Sequence, residues 1–211
     1  MATSCKGIML RKRSSGFTLI ELVITLTVGV VLVLLAIPSF RTMIDKSRLR
    51  SATDDIVNLL NTARANAVKQ QRVTNFSIRS DTWCAGAITV ADPTVGAQMS
   101  NTVSACDCSK AASDSAACYL GGTTNGVYSV VKGANYSGVT IANPDTKVAY
   151  TNGLTFNSKF GTLDMSNLPT GALVTVTSPS GKYSTQISIS PLGQVYTCSV
   201  NGTFISGYPS C

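Results

Sequence analysis

Residues 17–37 read FTLIELVITLTVGVVLVLLAI, an unbroken apolar run with a single charge, Glu21. As a helix rising about 1.5 Å per residue it is about 32 Å long, matching the roughly 30 Å hydrocarbon core of a bilayer. Beyond it, Ile44, Leu49, Ala52, Ile56, Leu59, Leu60, Ala63 and Ala67 recur mostly three and four apart, the spacing of one helix face. No glycine falls between Gly29 and Gly86, and Pro38 is the only proline in that interval. The pattern therefore predicts one long helix over residues 17–70. Pro38 deprives the Leu34 carbonyl of its usual donor and is expected to kink or loosen the helix there. The outer stripe is expected to pack against the chain's own domain.

Past Arg72 the period changes to two. Thr74, Phe76 and Ile78 share one face of a candidate strand, and residues 127–131, 139–142 and 154–156 supply short β-prone runs. The clearest hairpin joins residues 172–177 to residues 183–189 through Ser178-Pro179-Ser180-Gly181, with Tyr183, Thr185, Ile187 and Ile189 on one face. A further turn at Pro191-Leu192-Gly193 leads into residues 194–198. The expected class is α+β, a long N-terminal helix with a transmembrane half and an amphipathic half, packed on an antiparallel β-sheet domain.

The charges sort the amino terminus. Lys6, Arg11, Lys12 and Arg13 precede the apolar run with no acid among them, which predicts a cytoplasmic amino end and a body on the opposite side of the membrane. A secretory signal would have a shorter apolar core and a small-residue cleavage site after it, and nothing of that kind follows Ile37. Glu21 is also misplaced for such a signal. A carboxylate inside a membrane helix costs roughly 2.5 to 3.5 kcal/mol on insertion scales unless it is neutralised or paired, which marks it as functional by default. Were the chain cut after Gly16, the new amino group of Phe17 would lie about one helical turn from Glu21, able to pair with it within a subunit or between neighbours.

The string Gly16-Phe17-Thr18-Leu19-Ile20-Glu21-Leu22, following a short basic leader and opening an apolar helix that runs up to Pro38, resembles the processing signal of type IV pilins and type II secretion pseudopilins. The resemblance implies cleavage between Gly16 and Phe17 by a prepilin peptidase and N-methylation of Phe17. It also implies a role for Glu21 in docking subunits into a filament. A looser similarity, through residues 49–70, Gly153-Leu154-Thr155-Phe156-Asn157-Ser158 and Pro191-Leu192-Gly193-Gln194-Val195, points to the FimT/FimU/GspH subgroup of minor pilins and pseudopilins. The organisation it implies is a cleaved leader (1–16), a transmembrane helix (17–37), an amphipathic helix (38–71) and an extracytoplasmic pilin domain (72–211). Residues 92–124, rich in Cys and Gly, depart from the subgroup's pattern and read as an insertion.

Seven cysteines are an odd number, but cleavage removes Cys5 and leaves Cys84, Cys106, Cys108, Cys118, Cys198 and Cys211. Thiolates as closely spaced as Cys106, Cys108 and Cys118 suit a soft metal. An oxidising compartment, an even count and the absence of any histidine favour disulfides instead, and no metal or cofactor is expected. Six cysteines allow fifteen connectivities, among which sequence does not choose. Resemblance to the terminal disulfide loop of many pilins implies Cys198 with Cys211, leaving Cys84 with Cys106 and Cys108 with Cys118 as the expected remainder.

The net charge of +7, from 17 basic and 10 acidic side chains, falls to +3 once the four cations of the leader are removed. Residues 41–79 hold eight Lys/Arg against three Asp, whereas residues 80–211 hold five Lys against six Asp. The basic excess belongs to the helix stem, either as a solvated or subunit-facing surface or in contact with anionic headgroups. Some FimT-like pilins receive DNA, and the resemblance places the responsible cations near the carboxyl terminus. No charged side chain follows Lys182 here, so DNA is not the expected partner. Without histidine there is no Ser-His-Asp triad or Cys-His pair. Ser129-Val130-Val131-Lys132 matches the Ser-x-x-Lys pattern, but it stands alone in a β-prone run where residues three apart face opposite ways. An enzyme is not expected. The expected function is that of a minor pilin, an assembly subunit of a type IV pilus, with a type II secretion pseudopilin and, from a different class, a DNA-binding pilin of natural transformation as the alternatives. Its partners would be other pilin subunits, prepilin peptidase and the inner membrane, and its domain would lie in the periplasm and then in a surface filament.

Overall fold

A computed structural model describes residues 16–90, 106–121, 126–142, 153–163, 173–200 and 205–211. The leader up to Ser15, with Cys5, lies outside the described residues, as do residues 92–105 and 122–124 of the expected insertion. The long helix is present as α1, Leu19–Gln70, continuous through position 38. The kink expected there concerns a proline side chain that is likewise outside the description. Gln71 ends α1 in the left-handed region, φ 52°, with Arg72 N donating to Ala67 O at 3.1 Å and Gln71 N to Val68 O at 3.3 Å.

The chain divides after Thr42 into two units. In the first, the large apolar side chains of α1 are all exposed, from Ile37 at 43% to Leu19 at 82%. In the second, Met43–Cys211, the predicted stripe is buried: Leu49, Ala52, Ile56, Leu59, Leu60, Ala63 and Ala67 all belong to the core. Ile44 remains exposed.

Two four-stranded antiparallel sheets share that core with α1. The first has β1 (Thr74–Arg79), β2 (Cys84–Thr89), β5 (Val130–Lys132) and β7 (Leu154–Phe156) in the order β5-β2-β1-β7. The second has β6 (Thr140–Ala142), β8 (Val174–Thr177), β9 (Ser184–Ile189) and β10 (Val195–Ser199) in the order β10-β9-β8-β6. A small ribbon pairs β3 (Tyr119–Leu120) with β4 (Val127–Tyr128). The class is α+β, a long helix packed against antiparallel sheets.

The expected hairpin is β8 and β9, turned by Ser178-Pro179-Ser180-Gly181, with Gly181 at φ 71° and its N donating to Ser178 O at 2.9 Å. Thr185, Ile187 and Ile189 face inward as their alternation requires, and the Thr53 and Thr185 hydroxyls meet at 2.7 Å between α1 and β9. The expected single run over residues 127–131 is instead two strands, broken at Ser129. There Ser129 N donates to Cys118 O at 3.0 Å and Ala87 N to Ser129 O at 3.2 Å.

Two loops are pinned to α1 by tyrosines: Tyr136 Oη donates to Asp55 and Tyr208 Oη to Asp54. Burial first, and then the bonds to the carboxylates, push both hydroxyls above the ordinary tyrosine range. Their raised folded pKa contributes stability that is complete below the unfolded value of about 10 and is lost as pH rises through the folded values. The melting temperature is thus expected to hold through neutral pH and to fall above about pH 10. Tyr136→Phe and Tyr208→Phe together should flatten that alkaline limb in a pH series of thermal melts; an unchanged limb would remove the tyrosines as its cause.

Candidate processing and assembly site

The residues singled out at the amino end come together in the first turn of α1. Thr18 is its cap: Leu22 N donates to Thr18 O at 3.2 Å, and Glu21 N to Thr18 Oγ1 at 3.3 Å. A threonine three residues before a glutamate is the sequence mark of a capping box, and it would have located this start. Glu21 also sits where the helix dipole favours a negative charge. Gly16 and Phe17 precede the cap, with Phe17 80% exposed. No atom lies within 4 Å of a Cβ built on Gly16, so nothing among the described residues of its own chain demands a glycine there.

Two other polar side chains of the segment are satisfied internally. Thr25 Oγ1 donates to Leu22 O at 3.0 Å and Thr27 Oγ1 to Ile24 O at 2.9 Å. Glu21 is exposed, and its carboxylate meets no partner among the described residues. The rest of the face is apolar, and the helix is long and apolar enough to cross a membrane. Exposed apolar surface and one acid unpartnered among the described residues make a segment that can enter a bilayer or pack against copies of itself.

Residues 11–37 match the prokaryotic N-terminal methylation motif. This is the signal of type IV pilin-like prepilins, and it implies processing by prepilin peptidase. The prepilin signal covers the end of the leader and the apolar part of α1, and no part of the β-rich unit. No curated protein and no solved structure matches the chain.

The six cysteines outside the leader form three disulfides. Cys198 joins Cys211, and the other four correct the expected remainder: Cys84 pairs with Cys108, and Cys106 with Cys118. Strand register explains the exchange. Ser77 pairs with Gly86 across β1 and β2, its Oγ donates to Cys106 O at 3.3 Å, and Gly86 lies directly beneath Cys118 Sγ, so Cys106 and Cys118 meet over Gly86. Two residues on, Arg79 pairs with Cys84 and reaches Asp107 at 2.9 Å, which delivers the adjacent Cys108 to Cys84. Burial opposes the Asp107 charge, but hydrogen bonds from Ser109 and the Arg79 cation keep its carboxyl below the usual aspartate range. Arg79 also holds the exposed Asp81 down to about 2. This arginine clamp carries no motif and was not legible in the sequence.

No group of three or more metal-ligating side chains occurs among the described residues. Ser129 of the Ser-x-x-Lys pair is itself the break between β4 and β5, and Lys132 Nζ lies 5.7 Å from the centre of the Tyr128 ring.

Proposed function

We propose that this chain is a minor pilin, a structural subunit of a type IV pilus, cut between Gly16 and Phe17 and N-methylated on Phe17. Before assembly, residues 17–37 hold it in the inner membrane with the β-rich unit in the periplasm; afterwards the same apolar surface is the subunit contact within the filament. The observation that carries the reading is Glu21, an acid in the first turn of an otherwise apolar helix with no partner of its own among the described residues. The Phe17 amine of a neighbouring subunit is the partner that neutralises it. The role is assembly and not catalysis. DNA has no place in it, because the carboxyl-terminal stretch after Lys182 has no cation to meet a phosphate.

Mass spectrometry of the protein isolated from cells that make the peptidase tests the reading. An amino terminus at N-methylated Phe17 is expected; an intact leader retaining Cys5 on the folded, membrane-held protein would sink it. A secretion pseudopilin shares the whole amino-terminal segment, and location separates the two. Recovery in sheared surface filaments supports the pilus, and retention with the cell body supports the secretion machine.

A further inference from the structure

The three disulfides differ in access. Cys84, Cys106, Cys108 and Cys118 are buried, none more than 2% exposed, whereas Cys198 is half-buried and Cys211 is exposed. The accessible cystine, Cys198–Cys211, joins the edge strand β10 to a strap of residues 205–211. Ser199 N donates to Pro209 O at 2.7 Å and Cys211 N to Ser199 O at 3.0 Å, so positions 199 and 210 form a parallel bridge. Ile205, 1% exposed, enters the core, and Tyr208 Oη donates to Asp54 of α1, which also faces Arg50 at 3.6 Å. Gly207, at φ 95°, brings the strap backbone against that arginine: a Cβ there would lie 3.1 Å from Arg50 Nη2. One strap thus ties a sheet edge to the helix, and an exposed disulfide closes it.

Thiol–disulfide exchange requires a thiolate to reach a sulfur, so in a folded protein access selects the disulfide that reacts. Of the two sulfurs in the accessible cystine, that of Cys211 belongs to the exposed residue and that of Cys198 to the half-buried one. Attack therefore falls on Cys211, with Cys198 as the leaving thiolate. A segment held by few hydrogen bonds at the surface opens locally at low cost, so the strap frays once its cross-link is gone.

We propose that Cys198–Cys211 is a site of thiol–disulfide exchange that works a latch: a dithiol reductant opens it at Cys211, and residues 206–211 then detach from β10 and from Asp54 on α1. A reductant thiolate bonds to Cys211 Sγ, and the S–S bond breaks with its electron pair leaving on Cys198 Sγ, which takes up a proton. The second thiol of the reductant then displaces Cys211 as a thiol. The cystine has gained two electrons and two protons, and the reductant is left as a disulfide. A disulfide donor reverses the steps and closes the latch. The two buried disulfides stay closed throughout.

The test treats the oxidised full chain, carrying Cys5→Ser so that the seventh thiol takes no part, with dithiothreitol in mild detergent without denaturant. Samples are quenched with acid at intervals, and alkylated cysteines are mapped by mass spectrometry. Cys198 and Cys211 are expected to open roughly tenfold faster than the other four. Glutathione, a monothiol, should leave its mixed disulfide on Cys211. Opening of all three disulfides together, or of a buried one first, overturns the site, as does an adduct on Cys198 in place of Cys211. Hydrogen exchange on the singly reduced chain reads the latch: the amides of Ser199 and Cys211 should lose protection while β8 and β9 keep theirs. Unchanged protection of the strap overturns the latch, and so does faster exchange across both sheets, which would mark a general loss of stability. Cys198→Ser with Cys211→Ser should show the same local exchange with no reductant present; should that variant fail to fold, the chemical reduction still decides.

Discussion

Glu21→Ala is expected to abolish incorporation of the subunit into filaments while membrane insertion and the disulfide-bonded domain are retained. The variant removes the one charged side chain of the apolar helix, which itself costs roughly 2.5 to 3.5 kcal/mol to insert, so retention in the bilayer should improve or stay the same. The domain does not depend on this residue: its core begins at Leu49, and the Glu21 side chain makes no hydrogen bond or ion pair among the described residues. What is lost is the partner of a neighbouring Phe17 amine in a medium too apolar for water to replace it. Loss of incorporation by at least an order of magnitude, scored by immunoblot of sheared filaments, corresponds to about 1.4 kcal/mol or more per contact. Normal incorporation of Glu21→Ala would refute the assembly role. Glu21→Gln separates charge from shape, since the amide keeps the cap geometry and loses the ion pair.

Gly86→Ala is expected to prevent the Cys106–Cys118 disulfide from closing on the native β2. A Cβ at position 86 would stand 2.3 Å from Cys118 Sγ and 3.1 Å from Cys108 Cβ, and a sulfur bonded both to its own Cβ and to Cys106 Sγ is not a flexible end that can swing away. Either the bond forms and β2 shifts away from β1, or β2 stays and two thiols remain free. Losing a native disulfide typically costs about 2 to 5 kcal/mol, a melting-point drop of about 4 to 20 °C for a domain of this size. Thiol counting and a thermal melt check it. Unchanged stability with all three disulfides closed would contradict the register that places Gly86 under the sulfur. Cys106→Ser with Cys118→Ser should lower the melting point comparably without moving β2, which distinguishes loss of the cross-link from distortion of the strand.

The helix was legible because its evidence is local. A run of apolar residues, a stripe three and four apart and a missing glycine are properties of short stretches, and they place α1 within two residues of where it lies. The β8–β9 hairpin was legible for the same reason, through its turn residues and its strict alternation. β2 was not. It is a central strand, with Ala85 and Ala87 against the main core and Cys84 and Ile88 against the cysteine cluster, so both its faces are buried and CAGAIT shows no polar side to alternate with. The candidate site divides in the same way: Gly16, Phe17 and Glu21 form one contiguous string, whereas the Arg79–Asp107 clamp joins residues 28 apart that no motif connects.

By itself the sequence determined the long helix, its apolar and amphipathic halves, the change to strand periodicity, and the methylation motif, because each is carried by neighbours along the chain. It also determined that six cysteines remain after the leader. Which of them join was decided only by the tertiary structure, since Cys106 and Cys108 are one residue apart and only the β1–β2 register aims one at Cys118 and the other at Cys84.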